Sequence, residues 1–259
     1  MSEIDYFAMG TWMLVLAFAV SAAGTLIGLI CIRHAGATDI SARAGLAWLA
    51  VGAASIGGVG FWLASLVLLL GFSVSDSPVR YELFPVAAAL APATLGCLLG
   101  LVIAGNRSHL TRSLAGGAIA ALGLVTTVML GVNAVRVRGV VTVSSLPLSF
   151  VGVIAVLGFV GALWLTLTYR ESVRARVGAA LIAGVTVTSA QLLAMSAIEV
   201  DIEPGVPVPN GIELFDFAYP AFVIGLLVLA IPIAAVLLAP LRRPFESTLA
   251  EEAALGQPG

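Results

Sequence analysis

Arg112-Ser113-Leu114-Ala115-Gly116 opens an apolar run that continues to residue 135, and similar openings stand at Arg43-Ala44-Gly45-Leu46-Ala47 and Arg176-Val177-Gly178-Ala179-Ala180. Each run is followed by a second apolar run entered through a proline, around Phe84-Pro85, Leu146-Pro147 and Tyr219-Pro220. The unit recurs at roughly 60 to 75 residues, and self-similarity at a fixed period marks a repeated supersecondary unit.

The runs are too long and too apolar for a water-soluble core. With 60% hydrophobic and 10% charged residues and a mean hydropathy of +1.11, the chain has too few charges to cover a solvated surface. A helix crossing about 30 Å of hydrocarbon needs roughly 20 apolar residues. The chain supplies seven such runs, near 7–32, 44–72, 84–105, 113–135, 146–169, 177–198 and 217–241. They are continuous rather than alternating, which favours helices over barrel strands, and a helix satisfies its own backbone in lipid. The expected fold is therefore an all-α membrane protein of seven transmembrane helices, three repeated helix pairs plus one additional span, forming one domain over 1–241 with a short tail at 242–259.

Orientation follows from arginine, since the chain has no lysine. Arg33, Arg43, Arg107, Arg112, Arg170, Arg174, Arg176, Arg242 and Arg243 fall on one side of the expected spans, and Arg80, Arg136 and Arg138 on the other. The positive-inside bias makes the first side cytoplasmic, with the N-terminus outside and the C-terminus inside. The first run has no basic n-region and no small-residue cleavage pattern, so it is expected to be a retained span. The compartment expected is the bacterial plasma membrane.

Chemistry-bearing residues are sparse. Cys31 and Cys97 lie in apolar runs and are expected to behave as small hydrophobes. His34 and His109 stand in short cytoplasmic connections beside Arg33 and Arg107, as solvated loop residues. The one long connection, 199–216, carries five acids and three prolines. It is expected outside, as a solvated acidic segment or a lid that attracts a basic partner. Its acids lack calcium-loop spacing, and it has no histidine or cysteine for a transition metal.

The ends of the second, fourth and sixth runs carry a motif. Gly60-Phe61-Trp62-Leu63-Ala64-Ser65-Leu66-Val67-Leu68-Leu69-Leu70-Gly71-Phe72 is similar to the end of the second helix in the MHYT family of bacterial membrane sensors. In the same frame lie Gly123 to Arg136 and Gly184 to Ala197, the latter matching mainly at Met195 and Ala197. The resemblance covers the layout of residues 10–240. It implies three paired helices and one further span, and in the family it implies copper held by methionine and histidine near the outer leaflet for sensing oxygen, carbon monoxide or nitric oxide. The histidine positions are Ser65, Val128 and Gln191 here, and the preceding methionines are Ala64, Thr127 and Ala190. Neither imidazole nor thioether stands at any of them, so the metal chemistry is not expected to transfer.

Thr126 and Asn133 in the fourth run, and Thr186, Thr188, Ser189 and Ser196 in the sixth, are further polar residues that could line a small polar pocket. Such side chains hydrogen-bond between helices at about 0.6–2 kcal/mol apiece. Gln191 stands apart because a primary amide in hydrocarbon requires a partner. A thioether cluster of Met9, Met13, Met129 and Met195 is an alternative soft-ion site. No acid or base falls in the middle of a run, which lowers ion-coupled transport, and no hydrolytic or phosphate-binding motif is present. Gly24 and Gly28, Gly96 and Gly100, and Gly52, Gly57, Gly58 and Gly60 suit close helix packing. Tyr6, Phe7, Trp12, Trp62, Trp164, Tyr169 and Tyr219 suit interfacial anchoring.

The reading is a non-enzymatic membrane sensor-like or accessory subunit acting through a partner. Any ligand site is expected at Trp62, Ser65, Thr127, Met129, Gln191 and Met195, with no cofactor and no catalytic residue. The partners expected are the bilayer and a second membrane protein or another copy of the chain, with no nucleic acid. The alternatives are a permease for a small neutral or lipophilic solute, and a copper or diatomic-gas sensor using the methionines.

Overall fold

The computed structural model describes residues 4–5, 9–36, 41–74, 78–105, 109–170, 172–202 and 210–238. The tail at 242–259, Tyr6, Phe7, Arg107 and most of the acidic connection lie outside them. Seven helices long and apolar enough to cross a membrane are found among the described residues. They are α1 (Trp12–Ala35), α2 (Ala42–Leu69), α3 (Leu83–Ala104), α4 (Leu110–Asn133), α5 (Ser145–Thr168), α6 (Val173–Ser196) and α7 (Leu214–Leu238). The protein is an all-α multi-pass membrane protein.

Most helices start up to a few residues before the apolar runs do, and in α2 and α6 a serine side chain sets the start. Ser41 and Ser172 accept hydrogen bonds from the backbone N–H groups of Ala44 and Ala175, each at 3.3 Å. These N-caps satisfy donors that the first helical turn cannot pair internally. Arg43, Arg174 and Arg176 therefore lie inside the first turns of α2 and α6 rather than ahead of them.

Among the described residues, six short strands join the helices at one end of the bundle. Strand β1 (Ile4–Asp5) pairs with β2 (Ser73–Val74), β3 (Arg80–Tyr81) with β4 (Val135–Arg136), and β5 (Gly139–Val143) with β6 (Ile198–Ile202), all antiparallel. Each ribbon thus clasps the start of an odd helix to the end of the next even one. The clasp extends into the caps: the Glu82 N–H donates to the Ala134 carbonyl at 3.0 Å, and the Ser144 N–H to the Ala197 carbonyl at 2.8 Å. A strand–helix–helix–strand unit accordingly occurs three times, with α7 added through paired backbone bonds between Ile212 and Tyr81. The packing pairs are α1/α2, α3/α4 and α5/α6. The arginine and proline landmarks had paired α2 with α3, α4 with α5 and α6 with α7, a frame shifted by one helix. Those landmarks mark helix entries; α2 with α3 and α4 with α5 are in contact as well, but the ribbons join the other pairs.

Glycine sets the spacing within the pairs. A Cβ on Gly96 would stand 2.7 Å from the Gly123 Cα, and one on Gly24 would stand 2.7 Å from the Gly60 nitrogen. Without a driving force between apolar helices in lipid, such close approach supplies the dispersion contact that holds them. In α3, Pro92 has no N–H for the Ala88 carbonyl, and the helix is interrupted at Ala89. The Ala89 carbonyl then accepts the Thr127 hydroxyl of α4 at 3.2 Å.

Helices α1, α6, α5, α4 and α3 pack in succession, and α2 closes the ring between α3 and α1. In α2, 83% of the apolar stretch is buried inside the protein, against 22% in α7, which makes α2 central and α7 peripheral. Residues Ala54–Leu63 of α2 adopt the wider π-helical winding with i→i+5 bonds. Consecutive residues there reach different neighbours. Gly57 abuts Ala93 of α3, Gly60 abuts Ser21 and Thr25 of α1, the Phe61 ring lies tilted against Phe159 of α5 at 4.6 Å, and Trp62 meets Phe217 of α7.

Candidate functional site

The six residues singled out from the sequence separate into tied and untied groups. The Trp62 indole N–H donates to the Val86 carbonyl at 2.7 Å, and its ring stands edge-on to Phe217 at 6.0 Å. This tryptophan is buried and binds α2 to α3 and α7, which corrects its expected place as an interfacial anchor. The Thr127 hydroxyl lies 2.7 Å from the Gly123 carbonyl and 3.2 Å from the Ala89 carbonyl, so it is helix glue. Met129 is half-buried, and Met195 is fully buried.

Ser65 and Gln191 are different. Both are buried, Gln191 at 0% exposure, and the Ser65 hydroxyl and both polar atoms of the Gln191 amide have no hydrogen-bond partner. Leaving a buried polar group unsatisfied costs about 1–3 kcal/mol. Gln191 lies near the ribbon end of α6, five residues before its last residue Ser196. The end of α2, Ala64–Leu69, packs directly on α6. Val128, at the corresponding place of α4, is also fully buried. All three positions of the motif therefore face protein, and only the valine suits an apolar environment without a partner.

The alternative ligands differ in exposure among the described residues. Met13 is buried, whereas Met9 is exposed. The ring of His34 bonds the Ile30 carbonyl at 2.9 Å and stacks on Trp48 at 5.0 Å, so it joins α1 to α2 instead of standing in solvent. His109 precedes α4 and is exposed. No group of three or more His, Cys, Asp or Glu side chains that could hold a metal ion is found among the described residues.

Two ion pairs stand at the surface of the ribbon end. Arg136 pairs with Glu82 at 3.0 Å and Arg80 with Glu213 at 3.1 Å. Beneath them Tyr81 is buried, its hydroxyl donating to the Leu69 carbonyl at 3.0 Å, and burial pushes its phenol pKa above the usual value. The expected acidic connection begins as a strand, since Glu199 and Val200 belong to β6. Sequence reasoning missed Tyr81, whose place between α2 and β4 follows from strand pairing that two residues cannot announce.

Comparison of the chain with protein-family models, with curated proteins and with solved structures finds no match. The site must be read from its own chemistry. An uncharged amide and a hydroxyl, both buried and both without partners, can accept and donate hydrogen bonds to a small polar molecule.

Proposed function

We propose that the chain is a non-enzymatic membrane sensor-like or accessory subunit that acts through a partner protein. Its scaffold resembles that of MHYT-type sensors, with the metal motif replaced by an uncharged polar site around Gln191 and Ser65. The observation that carries the reading is the Gln191 amide, enclosed by protein with neither end hydrogen-bonded. A group of that kind is stabilised by a bound molecule or a rearranged neighbour, and either event shifts packing between α6 and the end of α2. Such a shift becomes a signal only if another protein reads it. The orientation that goes with this reading has the ribbons outside. Among the described residues Arg33, Arg43, Arg112, Arg170, Arg174 and Arg176 lie at the opposite end, and Arg80, Arg136 and Arg138 at the ribbon end.

The test is purification of the chain from its native membrane in mild detergent, followed by intact-complex mass spectrometry, with wild type and Gln191→Leu compared. The reading expects one membrane protein at fixed stoichiometry, its activity altered by the substitution. A wild-type chain that runs alone and carries a neutral solute into liposomes would establish the permease reading instead. One observation favours that second reading, an axial opening between the helices at the end opposite the ribbons, lined by α1, α2, α3 and α5.

A further inference from the structure

The axial space has two parts. At the end opposite the ribbons, a cavity of about 410 Å³ is lined from Gly36 and Ser41 inward to Leu29, Leu101 and Leu163. The same three leucines also line a second, inner cavity of about 40 Å³. One leucine comes from each strand–helix–helix–strand unit, on α1, α3 and α5. Four residues before each stand Thr25, Cys97 and Phe159, which also line the inner cavity, with Ala120 of α4, Ala183 of α6 and Phe61 of α2 among its other lining residues. The inner cavity is thus lined by two stacked threefold layers, and it takes residues from all six ring helices.

The chemistry of this wall is specific. None of its lining residues is charged. Thr25 is 4% exposed, and its Oγ1 has no hydrogen-bond partner. The Cys97 thiol is a weak donor at most. A buried water needs two to four polar partners, so water is poorly suited to a space with one good one. Size narrows the occupant further. A single water requires about 10–15 Å³ of such volume and benzene fits about 150 Å³, so about 40 Å³ corresponds to a molecule of two to four heavy atoms.

We propose that the inner cavity binds a small uncharged molecule that is apolar over most of its surface and carries one hydrogen-bonding group, a short-chain alcohol being the simplest member of the class. Its polar atom meets the Thr25 hydroxyl, its carbon atoms meet Phe61, Phe159 and Ala183, and it enters through the wider cavity past Leu29, Leu101 and Leu163. The site is independent of Gln191, and its failure would leave the proposed function untouched.

The experiment is a titration of the full chain in nanodiscs with ethanol, followed by the methyl resonances of Ala120 and Ala183. Lipid-facing Ala230 serves as the reference for simple partitioning. Saturable shifts at Ala120 and Ala183, with a linear response at Ala230, are expected. Thr25→Val keeps the shape and removes the hydroxyl. It should weaken ethanol binding roughly three- to tenfold, as for one lost hydrogen bond, and leave xenon binding unchanged. Thr25→Ser should retain ethanol affinity within about twofold, because it keeps the donor and acceptor. Linear shifts at Ala120 and Ala183, or equal ethanol affinity in Thr25→Val and wild type, would overturn the proposal.

Discussion

Replacing Gln191 by methionine separates an unsatisfied amide from an unseen hydrogen bond. The two side chains have similar length and volume, so the packing change itself should cost less than about 1.5 kcal/mol. The amide places one acceptor and one donor group in a fully enclosed position without partners. Each carries a penalty of about 1–3 kcal/mol. Part of that disappears in the comparison, because a helix separated within the membrane also finds partners for its polar groups. The expected net effect is stabilisation by about 1–2 kcal/mol in dialysed, ligand-free protein. The assay is equilibrium unfolding in mixed micelles by titration with sodium dodecyl sulfate, followed by far-UV circular dichroism. Destabilisation by 1 kcal/mol or more would mean that the amide holds a bond that methionine cannot make, and would refute the assignment of Gln191 as an unfilled site.

Four further substitutions have expected outcomes. Gly123→Ala should cost about 1–3 kcal/mol by overpacking, because its Cβ would stand 2.6 Å from the Pro92 carbonyl oxygen and 2.9 Å from the Gly96 Cα. Gly152→Ala, with nothing within 4 Å of the added atom, should be neutral or stabilising by up to about 1 kcal/mol; the same unfolding titration compares the two. Tyr81→Phe should lose about 1 kcal/mol with the bond to the Leu69 carbonyl. The phenol pKa is raised in the folded protein, so its neutral form is favoured there. The associated stability is complete below about pH 10 and is lost as pH rises above it, and melting curves from pH 8 to 11 should show that decline in wild type and not in Tyr81→Phe. Glu82→Gln should change stability by less than about 1 kcal/mol, since its ion pair with Arg136 is solvent-exposed, and thermal melts at low and high salt check it.

Helix number and class were legible because hydrocarbon thickness and backbone satisfaction leave a membrane chain few options. Boundaries were less so. Arginines read as loop residues lie within helices whose starts are fixed by Ser41 and Ser172. Ribbons such as Ile4–Asp5 with Ser73–Val74 are too short for an alternating pattern. Gly139–Val143 and the alternating Ile198–Ile202, both rich in β-branched residues, carried a strand signal. The motif positions Ser65, Val128 and Gln191 were found by likeness, and their common burial is a tertiary fact. Whether Trp62 anchors at an interface or ties three helices depends on α7, which no local pattern places beside α2. The Thr25, Cys97 and Phe159 layer was invisible because it joins a hydroxyl, a thiol and an aromatic ring, which share no composition and meet only around the axis.

The central claim, that this bundle works through a partner and turns on Gln191, is tested most directly by intact-complex mass spectrometry of the chain released from its native membrane. The account predicts one membrane protein bound at fixed stoichiometry, with that complex or its output changed by Gln191→Leu. A chain recovered alone, or a complex whose composition and output are identical in wild type and Gln191→Leu, would contradict it.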